Sequence, residues 1–79
     1  MTWTDYIHAD PGVIGGKPVI KGTRLAVDFV LGLLAEGWSQ DQLQSNYPQL
    51  NDDVLRAVFA YAAETLHDHT LIPVRPGAA

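Results

Sequence analysis

The chain has 79 residues, no Cys, three His and a formal charge of −4. This length makes one domain with a small core. The lack of Cys excludes disulfides and thiolate metal sites, and three scattered His argue against a metal or any other cofactor. Small domains gain stability by associating, so a homodimer or a partner protein is expected. No segment is long and apolar enough to span a bilayer. The start, Met1-Thr2-Trp3-Thr4-Asp5, lacks the zones of a signal peptide. A cytoplasmic protein without membrane contact is expected.

Charge divides the chain. Residues 1–24 carry Asp5 and Asp10 against Lys17, Lys21 and Arg24, a net +1; residues 25–79 carry seven acids against Arg56 and Arg75, a net −5. Nucleic-acid affinity is largely phosphate neutralisation. A monomer of this charge should bind DNA weakly unless dimerisation concentrates its basic front. An acidic body suits a basic protein surface.

The front reads as short extended segments joined by turns. Tyr6-Ile7-His8 is a strand candidate, and Asp10-Pro11-Gly12 is a turn signal. Gly15-Gly16 permits positive φ or close backbone approach. Pro18-Val19-Ile20 is a second strand candidate; its leading Pro suits a strand start or an edge. Gly22 then turns the chain toward the first helix. Glycines and lysine cluster here, but the phosphate-binding order G-x-x-x-x-G-K-[ST] is not met. Lys17 is followed by Pro18, and Lys21 precedes Gly22-Thr23.

Apolar spacing predicts a first helix over Val27 to Glu36, stopped by Gly37. Val27, Val30, Leu31 and Leu34 share one face, with Phe29 and Leu33 on a neighbouring stripe. That stripe is either covered by the chain's own elements or, as a candidate dimer interface of Phe29 and Leu33, by a second copy. A second helix, Gln40 to Asn46, has Ser39 as N-cap with Gln42 completing a capping box, and ends before Pro48. Trp38 is expected to pack in the core and close the turn before it. A third helix is capped by Asn51, with Asp52 and Asp53 where the macrodipole favours anions. Val54, Leu55, Val58, Phe59, Ala62 and Leu66 form its expected inner face. Tyr61 should bury its ring, and Arg56, Ala60, Ala63, Glu64 and His67 should face outward.

Three helices with a tight Glu36-Gly37-Trp38-Ser39 turn predict a mainly α, helix-turn-helix domain with a small N-terminal β-element. The third helix would then be the recognition helix. Its first residues include two carboxylates, which repel phosphate, so the candidate DNA-binding residues are Lys17, Lys21 and Arg24, with Arg56 the single cation on the third helix.

Several elements together carry a family resemblance. They are Asp10-Pro11-Gly12, Gly16-Lys17-Pro18-Val19-Ile20-Lys21-Gly22-Thr23-Arg24, Leu31-Gly32-Leu33-Leu34-Ala35-Glu36-Gly37, Tyr47-Pro48-Gln49-Leu50 and Val54-Leu55-Arg56-Ala57-Val58. Over about residues 6 to 66 the chain resembles the domain of unknown function 433 family, small antitoxin-like proteins of prokaryotes. One departure is Ala26, where the family commonly has Pro. The resemblance implies a homeodomain-like three-helix core behind a small β-element. It also implies association with toxin–antitoxin modules of the VapBC kind, in which the partner is a PIN-like ribonuclease toxin.

The chain therefore divides into a domain over residues 1–66, with a β/turn-rich front (1–25) and three helices (26–66), and a tail over 67–79. Pro73 and Pro76 forbid a continuing helix. The tail is either a frayed terminus or a segment that orders on a partner. In the second case Leu71, Ile72, Val74 and Arg75 are the candidate toxin-binding residues, with Arg75 placed to meet an acidic nuclease site. His67-Asp68-His69 lacks a third ligand. No nucleophile–base pair stands at a motif spacing, so no enzyme activity and no small-molecule substrate are expected. The leading expectation is a type II antitoxin that masks a PIN-like ribonuclease and represses its own operon by binding operator DNA. The alternatives are a stand-alone dimeric DNA-binding regulator and a protein-interaction scaffold.

Overall fold

The computed structural model describes residues 2–67. Among them are two short strands, β1 (Ile7–Ala9) and β2 (Pro18–Ile20), and three helices, α1 (Val27–Ala35), α2 (Gln40–Asn46) and α3 (Asp52–His67). The fold is mainly α with a small N-terminal β-element. The strands pair antiparallel, Ile7 opposite Ile20 and Ala9 opposite Pro18. The first strand starts one residue later than the sequence suggests, because Tyr6 still belongs to the turn that follows Trp3–Asp5. Pro18 takes the first position of its strand, as its missing N–H requires.

Helix boundaries follow local chemistry. Ser39 Oγ accepts from the Gln42 N–H at 3.1 Å, and Gln42 Oε1 accepts from the Ser39 N–H at 2.8 Å, which completes the capping box. Asn51 Oδ1 accepts from the Val54 N–H at 2.9 Å and caps α3. Helix α1 ends at Ala35, with Glu36 as its C-cap, and Gly37 leaves it at φ 101°. Asp52 ties α2 to α3: its Oδ1 accepts from Gln44 Nε2 at 2.8 Å and Gln40 Nε2 at 3.1 Å.

The core joins all these elements. Ile7, Ile20, Val27, Val30, Leu43, Leu50, Val54, Leu55, Ala57 and Val58 are buried against one another. Trp38 and Tyr61 are half-buried against this cluster. The inner face of α3 differs from the one its spacing predicts. Ala57 is fully buried, whereas Phe59 is 49% and Leu66 70% exposed. The helix presents the side bearing Val54, Ala57, Val58 and Tyr61 to the rest of the molecule, and Phe59 and Leu66 lie to one side of that line. A residue not anticipated from sequence closes the far end of α3. Trp3 packs edge-on to Tyr61 with centroids 4.8 Å apart, and its Nε1 donates to Glu64 at 2.6 Å. That contact links the chain's start to its longest helix.

Candidate functional site

Two turns and two helices build an open groove beside the hairpin. The first turn begins at Asp10, whose Oδ1 accepts from the Gly12 N–H at 2.9 Å and whose carbonyl accepts from the Val13 N–H at 2.9 Å. The chain then runs through three consecutive positive φ values, 47° at Ile14, 64° at Gly15 and 83° at Gly16. Glycine adopts this region freely, but a β-branched residue does so only under strain. Ile14 is nevertheless 43% exposed. Burial therefore does not account for its conformation.

The second turn is the Gly-Thr-Arg element, and most of it is architecture. Gly22 takes φ 78°. Thr23 Oγ1 donates to the Ile20 carbonyl at 2.8 Å and accepts from the Leu25 N–H at 3.0 Å. The Ile20 N–H reaches the Leu25 carbonyl at 2.9 Å, and Val19 bridges to Ala26. The chain thus doubles back beside β2, with Leu25 half-buried and Arg24 exposed between two fixed neighbours.

Helix α1 supplies the opposite wall. Asp28, in its first turn, accepts from Lys17 Nζ at 3.1 Å. Both side chains are well exposed, so the pair positions Lys17 more than it stabilises the fold. Phe29 is 44% exposed and meets Tyr47 edge-on, with centroids 6.0 Å apart and rings at 89°. Ile14, Lys17, Arg24, Leu25, Ala26, Asp28, Phe29 and Tyr47 together line a groove of about 590 Å³. It offers an apolar floor and wall, one neutralised ion pair, and the guanidinium of Arg24.

Of the cations singled out from sequence, the structure brings Lys17 and Arg24 to this groove. Arg56 lines a separate recess of about 230 Å³ with Gln40, Asp52, Leu55 and Phe59. Lys21 lines neither; its backbone N–H donates to the Tyr6 carbonyl at 2.8 Å. The candidate interface pair also divides. Leu33 is half-buried against the core, while Phe29 stays open in the groove. The candidate residues Leu71, Ile72, Val74 and Arg75 lie outside the described residues. Among the described residues no group of three or more His, Cys, Asp or Glu could hold a metal ion, and no helix is long and apolar enough to cross a membrane.

Sequence reasoning passed over Ile14, Asp28 and Tyr47. Asp28 opposite Lys17 and Tyr47 opposite Phe29 are tertiary pairings that no spacing encodes. Ile14 carried a signal, since an apolar residue directly before Gly-Gly sits at the edge of a positive-φ turn.

Comparison with known proteins places this architecture. The family model described as "Protein of unknown function (DUF433)" matches residues 7–62. Uncharacterized protein y4eO of Sinorhizobium fredii (strain NBRC 101917 / NGR234) is 31% identical over 58 residues, which are 73% of this chain and 26% of that protein. The chain thus spans about a quarter of that relative's length. The crystal structure of a DUF433 member protein from Anabaena variabilis ATCC 29413 superposes with a TM-score of 0.72 at 31% identity, covering 78% of this chain and 61% of that one. The chain belongs to the DUF433 family.

Proposed function

We propose that this protein is the antitoxin of a type II toxin–antitoxin module. In this reading it is not an enzyme. It binds a PIN-like ribonuclease directly and, as a homodimer with its toxin, represses its own operon through operator DNA. The observation that supports the reading is an exposed apolar groove with a basic rim on an otherwise acidic chain. Phe29 and Ile14, 44% and 43% exposed, face a groove rimmed by Lys17 and Arg24, while the whole chain carries −4. Exposed apolar residues gathered in a concave, charged-rimmed site mark protein contact more than DNA contact. The family resemblance supplies the partner class. DNA readout through α3 has less support, since Asp52 and Asp53 occupy its first turn and Arg56 stands beside Asp52.

The test is affinity capture of the tagged chain from its native source. The antitoxin reading expects a co-eluting small protein encoded next to this one. Freed from the complex, that protein should cleave RNA, and adding this chain back should stop it. Enrichment of DNA fragments without any protein partner would replace the reading with a stand-alone regulator. In that case binding of the isolated chain to its duplex should fall steeply with salt, and charge reversal at Lys17, Lys21 and Arg24 should abolish it.

A further inference from the structure

The groove also carries information about what it holds. We infer that it seats a short acidic segment of the partner protein, with one large apolar side chain against Ile14 and Phe29 and a neighbouring Asp or Glu carboxylate on Arg24. The inference rests on the protein-binding reading above and names the part of the partner that is recognised.

Charge selects the occupant. Lys17 is held by Asp28 at 3.1 Å, so these two groups cancel at the rim. Arg24 makes no ion pair among the described residues and leaves the groove with one net positive charge. Its planar fork of donors matches a carboxylate in bidentate geometry. The remaining lining is apolar or aromatic: Ile14, Leu25, Ala26, Phe29 and Tyr47. Apart from the Tyr47 hydroxyl, the side chains of this wall give a sugar–phosphate backbone no donors. The wall suits an apolar side chain next to an acid.

Backbone strain singles out the same place. Ile14 keeps φ 47° while exposed, in a turn where glycine would fit freely and asparagine at a lower cost. Strain without burial is accounted for if the side chain works in the groove. A second copy of this chain is disfavoured as occupant. A two-fold contact through this groove would bring together two surfaces that carry the same net positive charge and are both concave.

The experiment uses the full chain and a phage-displayed library of random short peptides. Enriched peptides should share a large apolar residue flanked by Asp or Glu. In amide chemical-shift mapping they should perturb the turn at Ile14, the segment at Arg24 and the start of α1. Arg24→Glu should weaken a selected peptide by about tenfold or more, as loss and reversal of a paired charge does, and Arg24→Lys should restore part of it. Ile14→Asn should weaken the peptide while raising the melting temperature, which separates the groove's role from folding. Circular dichroism confirms that each variant is folded. The inference is overturned by any of these results: no groove-binding peptide, enrichment of basic peptides, perturbation centred on Phe59 and Leu66, displacement by duplex DNA, self-association through the groove, or full affinity in Arg24→Glu. The two proposals fail separately. A ribonuclease partner captured equally by Arg24→Glu and Ile14→Asn removes the groove inference and keeps the antitoxin. A groove-dependent partner with no nuclease activity does the reverse.

Discussion

The front of the molecule, residues 2–26, and its helical body, residues 27–67, reach stability by different routes. The front contributes Ile7, Val19, Ile20 and Ala26 to the buried apolar set, whereas the body contributes Val27, Val30, Leu43, Leu50, Val54, Leu55, Ala57 and Val58. Positive φ is distributed the other way. Ile14, Gly15, Gly16 and Gly22 lie in the front, and only Gly37 lies in the body among the described residues. The body is therefore a side-chain structure, set by which residues fill space. The front is a backbone structure, set by which residues can make its turns. The difference teaches where function can sit. A surface built on turns can expose Ile14, Arg24 and Lys17 without weakening the core, because none of them is part of it.

This contrast can be broken or sharpened by substitution, measured as urea unfolding followed by circular dichroism. The largest effect is expected in the body. Leu43→Ala empties a fully buried position and should cost about 2–5 kcal/mol. A smaller cost belongs to the front. Gly22→Ala meets open space, so only its φ of 78° resists the new Cβ, and the expected loss is about 1–2 kcal/mol. If Gly22→Ala were as costly as Leu43→Ala, the division between side-chain and backbone control would fail. Ser39→Ala removes the N-cap of α2 and should cost about 1 kcal/mol.

The sign then changes. Ile14→Asn should stabilise by about 0.5–1 kcal/mol, because Asn tolerates the left-handed region better than a β-branched residue. A loss there instead would mean that the exposed Ile14 side chain contributes to folding. Lys17→Ala should be the mildest. It breaks a pair whose side chains are 57% and 65% exposed, which leaves stability within about 0.5 kcal/mol.

Legibility from sequence followed the same division. Ser39 with Gln42, Asn51 and Gly37 announced the ends of the helices correctly, because capping is chemistry between residues a few positions apart. The glycines of the front announced its turns for the same reason. The inner face of α3 was only half legible. Val54, Leu55 and Val58 are buried as their spacing suggests, but Phe59 and Leu66 are exposed and Ala57 takes an inner place. Periodicity fixes which residues share a face, and the neighbours decide which face is covered.

The sequence marked Lys17 and Arg24 as candidate DNA-binding residues and Phe29 as a candidate dimer contact, without showing that the three line one groove. Lys17 and Arg24 stand seven positions apart, and nothing in that spacing says that they share a groove while Lys21, between them, does not. The hairpin decides it by turning the chain between β2 and α1 through Gly22 and Thr23.

The sequence by itself determined the mainly α class, the three described helices and the turns, since each rests on contacts within a few residues, and it marked both strands, although their pairing joins residues 9 to 13 positions apart. It also carried enough of the family's pattern to identify DUF433. Only the tertiary structure decided that Asp28 neutralises Lys17, that Tyr47 closes on Phe29, and that Trp3 fastens onto Tyr61 and Glu64. These partners lie 11 to 61 positions apart. Their meeting depends on how the hairpin and helices pack around one core, a property of the whole chain that no local segment holds.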